Sequence, residues 1–225
     1  MNQMNELFLG IFLCSCLMLA VSSRLLHCIR IVALQGVLLG IMPVTLAIGH
    51  GDIHWSVMII NLSLKGIILP CLLYRTMLKA GVKRELEPVI GYSLSAGVVL
   101  ALILFSFFIS GRLSLPAGAS DLAGLAVPCS FAVVMTGLFT VIARKKALTQ
   151  VIGFLVFENG ITLFGAAVMR EHPVIVELGI LLDVLVLVFI MGIAVNQINR
   201  EFSHIDSDRL NSLDDITGNE VEVEK

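Results

Sequence analysis

Charged side chains are scarce in this 225-residue sequence: 15 Lys and Arg with 17 Asp and Glu amount to 14% of it. Soluble domains carry about a quarter, so the deficit excludes a surface bathed everywhere in water. Metal-binding patterns are also missing. The cysteines, Cys14, Cys16, Cys28, Cys71 and Cys129, are odd in number, sit in apolar stretches and form no C-x-x-C pair. They read as small buried hydrophobes, not as zinc or iron–sulfur ligands. His27, His50, His54, His172 and His204 fall between apolar runs, at their ends or in the C-terminal tail, where an interfacial place is expected. No Lys or Arg precedes the first apolar run and Glu6 stands where a signal peptide would be basic, so that run reads as a retained helix.

What fills the space is hydrocarbon. Hydrophobic residues make up 57% of the chain and the mean hydropathy is +0.97. A spanning helix needs about 20 apolar residues to cross roughly 30 Å of lipid at about 1.5 Å per residue. That length divides the chain into seven expected spans: 6–22, 28–48, 53–74, 89–110, 122–143, 149–169 and 173–196. The expected fold is all-α, a polytopic membrane bundle over residues 1–198 followed by an acidic tail, 199–225. Trp55 opens the third span as an interfacial anchor.

Basic residues alternate between loops. Arg24 and Arg30, then Arg75, Lys79, Lys83 and Arg84, then Arg144, Lys145 and Lys146, then Arg200 onward fall on one side, against only Arg112 and Arg170 on the other. The positive-inside rule places the N-terminus outside and the C-terminus in the cytoplasm. Gly36 and Gly40 form a G-x-x-x-G step, for which helix packing is the default reading.

Three ionisable side chains interrupt the apolar spans: Lys65, Glu158 and Asp183. A central Asp or Lys costs about 2.5–3.5 kcal/mol on insertion scales, so such groups are sheltered or used. Glu158 lies roughly 13 Å along the sixth span and Asp183 roughly 15 Å along the seventh from its opposite end, which puts both near the midplane. The short connection between these spans makes them antiparallel neighbours, and their carboxyls are expected to face each other. Carboxyls desolvated side by side can take up and release a proton. Asn61 shares a helical face with Lys65. Lys65 either trades protons with a carboxylate or forms a fixed pair that locks the bundle. Glu177, near the outer end of the seventh span, is either a wet mouth or a cap.

The run Gln150-Val-Ile-Gly-Phe-Leu-Val-Phe-Glu158-Asn159-Gly160, followed by Pro173-Val-Ile-Val-Glu177-Leu-Gly-Ile-Leu-Leu-Asp183, resembles hydrogenase-4 component E, the membrane subunit of formate hydrogenlyase-type group 4 hydrogenases. Lys65 followed by aliphatics and Pro70 is similar to the same family. More distantly, 149–196 resembles the K subunit of complex I and the C subunit of multisubunit cation/proton antiporters, through Ile152-Gly153, Asn159 and the tail run His204-Ile205-Asp206-Ser207. In that alignment the family's glutamate columns fall on Leu155 and near Val186. Glu158 and Asp183 each lie three residues away, about 4.5 Å toward the outside.

The resemblance implies a non-catalytic subunit in a bacterial or archaeal inner membrane, set between quinone-subunit-like and antiporter-like subunits. Soluble nickel–iron hydrogenase and iron–sulfur subunits would be reached only indirectly. No cofactor is expected in this chain and no nucleic-acid partner. The expected proton path runs over Glu158, Asp183, Lys65, Glu177, Asn61 and Asn159. Two alternatives stand beside it: a structural adaptor between larger membrane subunits, and a C-type subunit of a sodium/proton antiporter.

Overall fold

The computed structural model describes residues 2–47, 59, 62–79, 90–113 and 123–168, together with 179, 182–184, 186, 188–190 and 192. Apart from short turns these residues are helical. The elements are α1 (Asn2–Val21), α2 (Leu25–Ala47), a π-helical segment (Leu64–Ile68) continuing into α3 (Leu69–Lys79), α4 (Tyr92–Ser110), α5 (Ala123–Ala143) and α6 (Ala147–Val168). Residues 179, 182–184, 186, 188–190 and 192 are helical as well. Expected spans and observed helices agree within a few residues wherever both are described. The exception is α3, which runs on to Lys79 instead of stopping at 74. Leu73, Thr76 and Met77 continue its buried face while Tyr74, Arg75 and Leu78 point outward, so the basic residues ride on a helix that still has an apolar side to cover.

Among the described residues, three helices are long and apolar enough to cross a membrane: Tyr92–Ser110, Gly124–Ala143 and Ala147–Val168. Shorter apolar stretches are Glu6–Val21 and Leu25–Ile41. The polarity of α4 is reversed relative to a soluble helix. It buries Ser95, Val99, Ile103 and Ser106 and exposes Leu94, Leu100, Leu104, Phe105 and Phe108, the last at 61%. Ser106 meets its own hydroxyl requirement by donating to Leu102 O at 2.8 Å. In water that arrangement would expose a sticky ridge, whereas in lipid the small residues let helices approach and the large ones dissolve in acyl chains. The architecture is that of a helical membrane protein.

At the centre stands the α5–α6 hairpin, closed by a three-residue turn, 144–146. A Cβ built on Gly160 would lie 2.6 Å from Val134 N, and one on Gly153 would lie 2.8 Å from Val141 N. The partners descend α5 as the glycines climb α6, which is an antiparallel register with backbones in contact. Around this pair α1 packs on α4 and α5, while α2 lies against α6 and the π segment.

Arg144 departs from its expected place as a free loop charge. Its guanidinium is buried, donates from Nη2 to Ala20 O at 3.0 Å and lies 5.0 Å from the centre of the Tyr92 ring. The last carbonyls of α1 lack helical donors, and an arginine there meets both the hydrogen-bonding need and the negative end of the helix dipole. Cys14 and Cys71 depart as well, being exposed on the outer surface, whereas Cys16, Cys28 and Cys129 are buried as expected.

Gly160→Leu should prevent the α5–α6 contact, since overpacking costs about 1–3 kcal/mol even where the backbone can shift. Gly97, with nothing within 4 Å of its Cβ position, should accept leucine. Thermal unfolding in detergent checks this: a clear fall in midpoint for Gly160→Leu and none for Gly97→Leu.

Candidate functional site

The site begins with Pro70. A proline cannot donate to the carbonyl four residues back, and its ring crowds that carbonyl, here Gly66. The chain widens into a π turn just before it, in which Leu69 N donates to Leu64 O, five residues back. Single π turns inside helices recur at functional sites. This one carries Lys65, which is buried at 5% exposure.

Gly36 of the G-x-x-x-G step allows the burial. A Cβ there would fall 2.7 Å from Lys65 O, and one on Gly40 would fall 3.0 Å from the Leu62 side chain. The glycine step is therefore packing, as its default reading has it, but the backbone it packs against is that of the buried lysine.

From this position the Lys65 ammonium reaches α6. It forms an ion pair with Glu158 Oε1, and lies 3.5 Å from Asn159 Oδ1 and 3.3 Å from Thr162 Oγ1. Asp183 Oδ2 is 4.0 Å from the same nitrogen. Glu158 and Asp183 are 1% and 0% exposed. The two carboxyls therefore meet at a shared lysine. Leu155 and Val186, where the related subunits' glutamate columns fall, are buried in the apolar core. The polar pair occupies the next turn on both helices.

A chain of hydrogen bonds leaves the site sideways. Asn159 Nδ2 donates to Gln35 Oε1 at 3.3 Å, Gln35 Nε2 to Ser15 Oγ at 2.6 Å, and Ser15 Oγ to Phe12 O at 2.6 Å. Thr162 Oγ1 donates to Glu158 O at 3.0 Å. Gln35, Ser15 and Thr162 were not anticipated from sequence. Gln35 was findable, as a lone amide in the middle of an apolar helix. Ser15 and Thr162 resemble any serine or threonine that bonds back to its own helix.

Among the described residues, Glu158 Oε2 and both oxygens of Asp183 have no hydrogen-bond partner. With both carboxyls ionised, neither has a proton to donate to the other, and one lysine faces two negative charges. Adding one proton neutralises the cluster and supplies the missing donor. Among the described residues no three His, Cys, Asp or Glu side chains gather as a metal site would require. The place between the two carboxyls holds the Lys65 ammonium. Asn61 and Glu177 lie outside the described residues.

The fold and site define a helical membrane protein with a lysine and two carboxyls buried together in its interior. The chain is 35% identical over 190 residues to the uncharacterized protein Rv0085 of Mycobacterium tuberculosis, covering 83% of this chain and 85% of that one, and it belongs to the same family. It is also 26% identical over 123 residues to hydrogenase-4 component E of Escherichia coli and of Shigella flexneri. That match takes in 55% of this chain and 56% of component E, so it spans about half the length of the hydrogenase component. No protein-family model matches the chain, and no solved structure matches it.

Removing one partner of a buried pair leaves an uncompensated charge and costs about 3–5 kcal/mol. Lys65→Met should therefore lower the thermal midpoint in detergent strongly. Adding Glu158→Met to it should recover part of the loss, because the stranded carboxylate is then gone.

Proposed function

We propose that this chain is a membrane subunit of a complex I-like assembly of the group 4 hydrogenase type, and that Lys65, Glu158 and Asp183 relay protons within it. The observation that carries the reading is the buried cluster of one ammonium and two carboxyls, with three carboxylate oxygens lacking donors. Its likeness to hydrogenase-4 component E supports the kind of assembly. Buried ionisable groups within membrane helices mark ion pathways and proton relays.

In this reading redox chemistry belongs to other subunits and this chain supplies no cofactor. A charge change in a neighbouring membrane subunit alters the field at the cluster. Lys65 then shifts its balance between Glu158, with which it is paired, and Asp183, and the displaced proton moves on. Asn159 and Thr162 hold the ammonium within reach of both carboxyls. The bundle crosses the inner membrane seven times with its N-terminus outside, which puts the 144–146 turn and the acidic tail in the cytoplasm with the soluble subunits. Asn61 and Glu177 belong to the proposed path as well.

The adaptor reading draws on the same ion pair, taken as a fixed lock between helices. Glu158→Gln separates the two. In the purified complex reconstituted into vesicles, the relay reading predicts normal assembly on a native gel with proton pumping reduced at least tenfold. Unchanged pumping in an assembled complex contradicts it, and loss of assembly before any transport defect is the adaptor's result. The topology has its own check. A reporter that is active only in the cytoplasm should give signal when fused at the C-terminus and none when fused at the N-terminus.

A further inference from the structure

Glu158 has two unlike neighbourhoods. On the α2 side, every donor in the Lys65–Asn159–Gln35–Ser15 chain points the same way, and the last acceptor is Phe12 O, a helix carbonyl. A carbonyl has no proton to pass on. A neutral carboxamide hands on a proton only through an imidic acid form, and this chain has two carboxamides in series. The chain orients the ammonium and conducts nothing.

On the other side lies a cavity of about 120 Å³ lined by Glu158, Thr162, Gly165 and Gly179, with Ile161 and Leu182 among its apolar walls. A buried water needs about 10–15 Å³ of such space together with polar partners; the walls are mostly apolar, so the place for water is the end at Glu158 and Thr162. Two of its walls carry oxygen: Glu158, whose Oε2 has no partner, and Thr162. The lining residues 161, 162 and 165 follow Glu158 along α6, and Gly179 precedes Asp183 by about one turn. The cavity therefore extends from the carboxyls toward the C-terminal end of α6. Ile161, on its wall, is exposed.

We propose that Glu158 exchanges its proton with water through this cavity, while the Asn159–Gln35–Ser15 chain forms a proton-tight wall on the opposite side. The inference rests on the relay reading and adds a direction to it: among the described residues, the cluster opens toward the C-terminal end of α6. Gly179 is the port. A Cβ there would lie 3.9 Å from both Glu158 Oε1 and Thr162 Oγ1, so alanine fits and a larger side chain fills the water space.

The test uses the full chain in lipid vesicles moved from H2O to D2O. The infrared C=O band of a protonated carboxyl is followed in time and assigned by its loss in Glu158→Gln or Asp183→Asn. Exchange in Gly179→Leu should be at least tenfold slower than in the wild type, with Gly179→Ala close to the wild type, and Gln35→Leu should not slow exchange. Should Gly179→Leu fail to fold, Thr162→Val, which removes the second polar wall, should slow exchange instead. A tenfold slowing in Gln35→Leu with no change in Gly179→Leu overturns the proposed route and leaves the relay standing. Absence of any such band in the wild type means the pair holds no proton, and the relay reading falls with the inference.

Discussion

A lysine ammonium inside a lipid-facing bundle needs counter-charge and hydrogen-bond acceptors, and most of the local structure around Lys65 serves that need. Inserting the charge costs about 2.5–3.5 kcal/mol at mid-span, and a carboxylate adds a cost of its own. The cost is met by convergence. The π turn forced by Pro70 aims Lys65, Gly36 lets its backbone approach α2, and α6 brings Glu158, Asn159 and Thr162 to it in a single turn of helix. Asp183 arrives from the next helical segment, near enough to interact and too far for a tight pair.

The cluster holds one carboxyl more than a simple ion pair needs. One lysine and one glutamate would satisfy each other, and a core of apolar residues would be about as stable. A second buried carboxyl without a donor is unfavourable while both are charged and is relieved by one proton. In the proposed function that relief is the working step. The exposed leucines and phenylalanines of α4 face in the opposite sense, toward lipid or larger membrane partners, so the chain keeps its polar chemistry central and its surface apolar.

Much of this was legible in the sequence because a charge in an apolar run is conspicuous. Lys65, Glu158 and Asp183 stand out by type alone, and the structure brings both carboxyls to Lys65. Helix limits followed from hydrophobic length. The parts that were not legible depend on three-dimensional company. Nothing local says that Gly36 lies on the backbone of Lys65, that Pro70 is answered by a π turn, or that Arg144 folds inward to cap α1 instead of standing in the loop. Ser15 and Thr162 gain meaning only from the amide and the ammonium beside them. Positions 61 and 177, outside the described residues, remain expectations of the sequence.

In the proposed relay the cluster carries one exchangeable proton beyond the lysine's own. Magic-angle-spinning NMR of the protein in bilayers, with 13C in the Glu158 and Asp183 carboxyls, reads the protonation state of each group directly. The account predicts, near neutral pH, one proton shared between the two carboxyls beside a charged Lys65. Two fully ionised carboxylates across the accessible pH range would contradict it.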